Sequence, residues 1–226
     1  EYVIKRKELE REKKKLVLTL ETKVSERTEE MKKTHLDVLS TLAQAIEKRD
    51  LGTYGHCKRV AYYCDLIAAA LPLSNDERHY LSIAALLHDV GKIGISDSIL
   101  GKPGSLSYDE LDDIRSHPAK GVEILKPLKY LKPVLPAILH HHENFDGSGY
   151  PSGLSGERIP LLARIIAVAD TYDAILSNRP YRSAANHEEA IDEILRHAGK
   201  QFDPAVVQAF LDIGMKHRQF VNVAFV

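Results

Sequence analysis

Residues 83–92, with the sequence IAALLHDVGK, decide how the rest of this 226-residue chain is interpreted. The first five residues are apolar and indicate a buried helix. That helix would end at His88 and Asp89, and two such polar side chains are costly to bury unless something pairs them. A divalent metal ion is one such partner, because imidazole nitrogens and carboxylate oxygens both serve as ligands.

Gly91 and Lys92, which come after Val90, fit this interpretation without proving it. Gly91 is expected to let the chain leave the helix, as a C-terminal glycine commonly does, and Lys92 is placed to reach back toward the His-Asp pair. A capped helix end with a solvated His and Asp would explain the same residues. Further ligands must therefore come from other parts of the chain.

Composition allows one sizeable folded body with an appendage. The formal net charge of −1 gives no bias toward a nucleic-acid polymer. No apolar run approaches the roughly 18 residues of a membrane helix, and no signal-peptide pattern is present. Cys57 and Cys64 are seven residues apart in a helical pattern, about 10 Å along the axis, which is too far for a disulfide. Free cysteines predict a reducing, cytoplasmic setting.

Residues 1–33 have the composition of a solvated helix, rich in Lys, Arg and Glu and without Gly or Pro. A short apolar seam, interrupted by Arg27, suggests a coiled coil; its members are Val17, Leu20, Val24 and Met31. A single solvated helix explains the same pattern. We favour a parallel helical pair that makes the protein a homodimer and joins it to an upstream sensory or receiver domain.

The folded domain is predicted to span residues 34–226, because an apolar face at helical spacing begins after Thr34. The face consists of Leu36, Leu39, Leu42, Ala43 and Ile46. Three capping motifs predict helix starts, at Ser74 with Glu77, Ser107 with Glu110, and Asn186 with Glu189. Pro118 suggests another start, with His117 at the N-cap. No segment alternates with period two over a convincing length, so the domain is predicted to be all-α.

Seven potential ligands fall at predicted helix ends or beside apolar faces, where core packing would not select His or Asp. They are His56, His88, Asp89, His117, His141, His142 and Asp170. This number exceeds one tetrahedral site and suits two octahedral ions, with Asp89 as the simplest bridge. Two cations about 3.5–4 Å apart can share a hydroxide nucleophile and clamp a phosphate oxygen. The constellation therefore predicts phosphoester hydrolysis.

At this point the sequence resembles a known family. The motifs His88-Asp89, Gly91-Lys92, His141-His142-Glu143 and Gly149-Tyr150-Pro151 are similar to those of the HD-GYP subfamily of HD phosphohydrolases, bacterial phosphodiesterases of cyclic di-GMP. The match covers roughly residues 34–215. It also includes Arg49-Asp50, Thr53, His56, Arg59, Ile159-Pro160, Asp170 and Arg179-Pro180-Tyr181-Arg182.

The resemblance implies an HD-type helical bundle that holds iron or manganese through the seven residues above. It implies that Lys92 contacts the scissile phosphate and stabilises or protonates the leaving oxygen, and that Tyr150 lines the nucleotide pocket. Arg179 and Arg182 would hold phosphate, since the guanidinium fork suits that task. Asp173 would support a ligand histidine from behind. Diguanylate cyclase (GGDEF) domains are expected as further partners.

One departure from the family pattern concerns the number of metals. Relatives with three metals place a glutamate four residues before the first ligand histidine, where this chain has Gly52, so we expect two metals. His140 is expected to flank the ligands. The sequence leaves open whether the product is the linear dinucleotide or GMP. It also leaves open a different cyclic dinucleotide as substrate, and a non-catalytic signalling module.

Overall fold

A computed structural model of the chain describes residues 2–49, 55–177 and 185–216. The chain divides into two compact units, residues 1–38 and residues 39–226. The described part of the first unit lies in helix α1 (Tyr2–Glu47). Its predicted seam is exposed, with relative accessibilities of 44% at Val17 and 65% at Val24. Ion pairs one turn apart, such as Arg27 with Glu30, stabilise this surface weakly.

The second unit contains the end of α1 and nine further α-helices within the described residues. These are α2 (His56–Ala69), α3 (Asn75–Leu87), α4 (Asp97–Leu100), α5 (Tyr108–Arg115), α6 (His117–Leu125), α7 (Leu135–His140), α8 (Leu161–Leu176), α9 (His187–Arg196) and α10 (Pro204–Lys216). Short 3-10 helices lie at Val90–Gly94, Lys129–Leu131 and Gly156–Arg158. The described ranges contain no strand, only an isolated bridge between Ala198 and Phe202. The all-α prediction is confirmed.

The three predicted capping boxes all form. In α3, α5 and α9 the N-cap side chain accepts the backbone N–H of the glutamate three residues later, and that glutamate accepts the N-cap N–H in return. Each box satisfies two backbone donors that the first helical turn leaves unpaired. Local sequence therefore fixes where these helices begin.

Helix α8 lies at the centre of the core and contacts α2, α3, α7, α9 and α10. Its inward residues, including Ile165, Ile166 and Ala169, are fully buried, because the helix is apolar on most sides. Burying each large aliphatic side chain contributes about 1.5–3 kcal/mol. This buried helix carries Asp170 and Asp173, so both carboxylates are attached to the centre of the core.

Two local predictions were wrong in detail. Leu42 is 55% exposed, whereas Leu39 and Ala43 on the same predicted face are buried. Helix α6 begins at His117 with Ser116 as its N-cap, one residue earlier than expected, because Ser116 already has helical backbone angles. In the parts of the chain that the structure describes, no helix is both long and apolar enough to cross a membrane.

Candidate metal centre

The seven predicted ligands come from five separate elements that meet at one place. His56 is the first residue of α2, and His117 is the first residue of α6. His88 and Asp89 follow the end of α3. His141 and His142 follow the end of α7, and Asp170 lies in α8. The cluster therefore depends on tertiary packing, because its seven residues lie in, or directly after, five different helices.

Three overlapping groups of ligand atoms each lie within 4.8 Å of one another. They are His117, His141 and His142; His56, His88 and Asp170; and His88, Asp89 and His141. The side chains of Asp89 and Asp170 are 13% and 21% exposed. Four of the histidines are buried: His56, His88, His117 and His141. The overlap produces one continuous cluster.

Asp89 reaches histidines on both sides of this cluster. Its Oδ1 lies 3.2 Å from His117 Nε2, and its Oδ2 lies 3.6 Å from His88 Nε2 and 3.9 Å from His56 Nε2. The ammonium of Lys92 is 2.8 Å from the same Oδ2. Burial alone would raise the pKa of Asp89, but the charge of Lys92 and the neighbouring histidines hold that pKa well below its usual range. The carboxylate is therefore ionised, with one oxygen facing His117 and the other facing His88 and His56.

The cluster fits metal ions by a test that does not depend on resemblance. His88 Nε2 is buried and has no hydrogen-bond partner within the described parts of the chain. A buried polar atom of this kind costs about 1–3 kcal/mol if it stays unpaired. His117 Nε2 and His141 Nε2 also face each other at 3.2 Å. Imidazole nitrogens and carboxylates that converge on one space are a ligand set for divalent transition metals.

Three of the histidines are oriented by a backbone carbonyl three residues earlier, in α3, α5 and α7 respectively. The Nδ1 atom of His88 lies 2.8 Å from Ala85 O. The Nδ1 atom of His117 lies 2.8 Å from Ile114 O, and that of His141 lies 2.7 Å from Ile138 O. A carbonyl oxygen can only accept, so each Nδ1 carries the proton. Each Nε2 lone pair therefore faces the cluster.

His56 is oriented by side chains instead. Its Nδ1 donates to Asp173 Oδ2 at 2.7 Å, and Asp173 is bound on both oxygens by Arg59, at 2.6 and 3.0 Å. Burial raises the pKa of Asp173, but hydrogen bonds from His56 and Arg59 outweigh this effect and lower it. An ionised Asp173 thus fixes the orientation of the His56 ring.

The two sides of the cluster differ in charge. Burial disfavours the charged ring of His56, but hydrogen bonds to Asp170 and Asp173 outweigh burial and raise its pKa to about 10. Burial lowers the pKa of His142 to about 4, despite the nearby Asp170 charge. Burial and the neighbouring histidines also hold the pKa of His141 well below its usual range. His56 is therefore protonated near neutral pH without metal, whereas His141 and His142 are neutral.

Gly91 is required for a reason other than the expected one. It lies inside the 3-10 helix Val90–Gly94 and does not adopt a left-handed conformation, so its expected role as a helix-ending glycine was wrong. A Cβ atom at this position would lie 1.8 Å from His117 O and 2.5 Å from Gly121 N. The missing side chain allows the segment after Asp89 to pack directly on the first turn of α6. That approach brings Asp89 to His117.

The glycine-rich loop after His142 is organised by Glu143, a buried residue that composition alone did not assign. Its carboxylate accepts the N–H of Ser152 at 2.7 Å and of Leu154 at 3.1 Å. His140 Nδ1 is 3.3 Å from the same carboxylate. His140 belongs to none of the three ligand groups.

The loop places the ring of Tyr150 on the ring of His142, with centroids 4.9 Å apart and an interplanar angle of 25°. Gly149 leaves room for this turn, since a Cβ there would lie 2.2 Å from Asn144 N. Tyr150 lines an open cleft of ≈ 220 Å³, together with Arg115, His142, Asp170 and Gln201. The cleft gives a ligand access to the cluster.

Sequence patterns also missed Glu47. Its carboxylate accepts the N–H of Gly55 at 2.8 Å and of Cys57 at 2.5 Å, so it caps the first turn of α2 around His56. Spacing could not reveal this, because the two N–H groups lie eight and ten residues further along the chain and no short capping motif links them to Glu47. Arg179, Arg182 and Gly52 lie outside the described residues.

The chain matches the family model for the HD domain over residues 40–206. It is 43% identical over 196 residues to the cyclic di-GMP phosphodiesterase response regulator RpfG of Xanthomonas campestris, covering 86% of this chain and 52% of that protein. It is 37% identical over 185 residues to the 3'3'-cGAMP-specific phosphodiesterase 2 of Vibrio cholerae, covering 81% and 35% respectively. The chain thus spans about half, or less, of the length of these relatives.

A crystal structure of a cyclic GMP-AMP-specific phosphodiesterase from Vibrio cholerae has a similar fold. The TM-score is 0.63 at 23% sequence identity, and the match covers 81% of this chain and 49% of that one. At this identity the likeness concerns the fold.

Proposed function

This chain belongs to the HD domain family, its motifs are those of the HD-GYP subfamily, and on that premise we propose that it is a metal-dependent phosphodiesterase of cyclic di-GMP. The resemblance noted in the sequence is thereby confirmed, and the activity is the proposal. The observation that carries it is the convergence of seven ligand side chains from five elements around a buried, unpaired His88 Nε2.

Two divalent ions are proposed, with iron or manganese as the metals. His56, His88 and Asp170 would hold one ion, His117, His141 and His142 the other, and Asp89 would contact both. Bound divalent ions supply Lewis acidity, which lowers the pKa of water and neutralises charge on a phosphodiester. The nitrogen-rich ligand set supports a transition metal over magnesium or calcium.

Other side chains near the proposed ions would bind the substrate and stabilise its charge. Lys92 holds a full positive charge beside Asp89, and we assign it to the scissile phosphate, where it stabilises developing charge and can give a proton to the leaving oxygen. Tyr150 forms a wall of the nucleotide pocket. Arg179 and Arg182 are proposed to hold phosphate on the basis of the family pattern.

The substrate proposal rests on the relatives. Cyclic di-GMP is the first candidate because RpfG, at 43% identity, is named for it. A 3'3'-cyclic GMP-AMP phosphodiesterase at 37% identity makes the mixed dinucleotide the second candidate. Both are cyclic purine dinucleotides with two phosphodiester bonds, and the product would be the linear dinucleotide, GMP or both.

Assembly and location are further proposals. The exposed apolar seam of α1, with Leu20 52% and Met31 58% accessible, supports pairing of two α1 helices in a homodimer. That helix would connect to an upstream sensory or receiver domain, with diguanylate cyclase domains as partners. The free, buried Cys57 and Cys64 support a reducing cytoplasmic location.

The test compares the wild-type protein with Asp89→Ala, using Asp192→Ala as a matched control on the exposed face of α9. Proteins are purified anaerobically, analysed for metal, and assayed with cyclic di-GMP, 3'3'-cyclic GMP-AMP and cyclic di-AMP. We expect the wild type to hydrolyse cyclic di-GMP with the highest kcat/KM. Asp89→Ala should lose metal and at least about 10³-fold in activity, since bound metals supply several kcal/mol.

Asp192→Ala should behave like the wild type. Retained activity in Asp89→Ala would refute the mechanism. Tight binding of cyclic di-GMP by a metal-loaded wild type without turnover would instead favour a non-catalytic signalling module.

A further inference from the structure

We infer that Arg115 is a substrate-binding residue that holds the second phosphate of the cyclic dinucleotide, the one that is not being cleaved. This inference rests on the proposed function and adds a residue to it. Arg115 is the last residue of α5 and precedes the ligand His117 by two positions. No motif in the sequence singled it out.

Arg115 lines the cleft and contacts the glycine-rich loop after His142. Its guanidinium carbon lies 5.6 Å from the centroid of the Tyr150 ring, within the range of a cation–π contact. Tyr150 in turn stacks on the ligand His142. The guanidinium is thus positioned relative to the metal cluster through two rings.

Charge in the cleft favours an anion at this point. Among the described residues that line the cleft, Arg115 carries the only permanent positive charge. Of the two carboxylates there, Glu143 is occupied by backbone N–H groups of the loop, and Asp170 belongs to the metal cluster. A cyclic dinucleotide has two phosphodiesters, so when one lies at the ions and Lys92, the other lies outside the cluster, where a cation such as Arg115 can bind it.

The N–H groups of Arg115 are available for that contact. Within the described parts of the chain its guanidinium makes no hydrogen bond, and its ion pair with Asp112 is long, at 3.7 Å, and exposed. Arginine over an aromatic ring keeps its charge and presents its planar fork to an acceptor. A phosphodiester with two free oxygens matches this fork.

The experiment uses Arg115→Ala and Arg115→Lys in the metal-loaded protein. The matched control is Arg196→Ala, because Arg196 also ends a helix and pairs with an acid three residues earlier. Three substrates are compared: cyclic di-GMP, 3'3'-cyclic GMP-AMP and bis(p-nitrophenyl) phosphate. The last is a phosphodiester with neither a second phosphate nor a purine.

We expect Arg115→Ala to raise KM about tenfold for both cyclic dinucleotides with little change in kcat, because binding in the ground state and transition state is lost equally. Arg115→Lys should restore part of the loss, since it keeps the charge without the fork. Hydrolysis of bis(p-nitrophenyl) phosphate should stay unchanged in both variants, and Arg196→Ala should resemble the wild type throughout.

Three results for the Arg115 variants would overturn the inference. The first is an unchanged KM for the cyclic dinucleotides in Arg115→Ala. The second is an equal loss on all three substrates, which would mean that Arg115 supports the fold around His117. The third is a loss confined to cyclic di-GMP, which would assign Arg115 to a guanine edge. Failure of the wild type on every cyclic dinucleotide, with turnover of bis(p-nitrophenyl) phosphate, would refute the proposed substrate itself and the inference with it.

Discussion

The two sides of the metal cluster hold their histidines by different means. On the side of His117, His141 and His142, the rings of His117 and His141 each donate Nδ1–H to a carbonyl three residues earlier, near the end of α5 or α7, so the main chain orients these two rings. On the other side, His88 is oriented in the same way by a carbonyl of α3. His56 depends on Asp173, which lies 117 residues away along the chain, and on Arg59 behind it. The first side is built from the main chain and close packing, whereas the second also depends on a buried network of charges.

This difference determines which substitutions each side tolerates. A main-chain hydrogen bond survives any change of side chain that leaves the backbone in place. A side-chain network fails when a single member is replaced, because buried charges lose their partners. The main-chain side should therefore be sensitive to backbone displacement, and the His56 side to removal of one carboxylate.

Gly91→Ala tests the main-chain side and should have the largest effect. The new Cβ would lie 1.8 Å from His117 O, and neither backbone can yield without moving Asp89 away from α6. We expect destabilisation of about 3 kcal/mol or more, at the upper end for overpacking. In a domain of this size that corresponds to a fall in Tm of roughly 10 °C, measured by calorimetry on the metal-free protein.

Gly94→Ala is the control in the same 3-10 helix. Its Cβ would meet only the flexible Lys120 side chain, at 3.1 Å from Cδ, so it should cost less than about 1 kcal/mol. Equal melting temperatures for the two variants would show that the contact between Gly91 and α6 does not support the site.

The sequence predicted the features that depend on local chemistry. Ser74, Ser107 and Asn186 cap their helices because each partner glutamate is three residues away, and apolar runs identified the buried helices. The seven proposed ligands were recognisable because His and Asp are poor choices beside an apolar face. The HD-GYP resemblance then implied that all seven hold metal.

What the sequence could not supply depends on approach between distant segments. The role of Glu47 exists only once its carboxylate meets the N–H groups at the start of α2, and that of Gly91 only once the segment after α3 packs on α6. Arg115 was not identified because its partner Tyr150 is 35 positions away and no spacing rule links them. Leu42 has a core-like residue type at helical spacing, yet it is 55% exposed, since periodicity does not say how wide the covered face is.

Asp173→Asn tests the side-chain side and should have the second largest effect. The amide keeps the shape of the carboxylate but loses the charge that holds both His56 and Arg59. Partners of this kind contribute about 10- to 100-fold to metal affinity. We expect one of the two ions to be lost preferentially, as measured by metal analysis after graded competition with a chelator.

Ser177→Ala is the control for Asp173→Asn, because its hydroxyl contacts Arg59 and Asp173 but no ligand histidine. It should retain both ions. If Asp173→Asn weakens both ions equally, the two sides act as one cooperative unit and the distinction between them fails.

The number of protons released on metal binding also distinguishes the two sides of the cluster. This is the smallest of the expected effects. Without metal, the pKa of His56 is raised to about 10, so this ring is protonated at pH 8 and must lose its proton to bind an ion. The pKa of His142 is lowered to about 4, so the side that contains it binds without releasing one. The metal affinity of the His56 side should therefore rise by about tenfold per pH unit between pH 7 and 9, whereas the affinity of the other side should depend little on pH.

Calorimetric titration with Mn²⁺ in two buffers of different ionisation enthalpy measures the proton release directly. Asp173→Asn should reduce the release, because it removes one of the two carboxylates that hold the proton. Binding of both ions at pH 8 without net proton release would mean that the network around His56 does not keep that ring charged, and the contrast in charge between the two sides would fail.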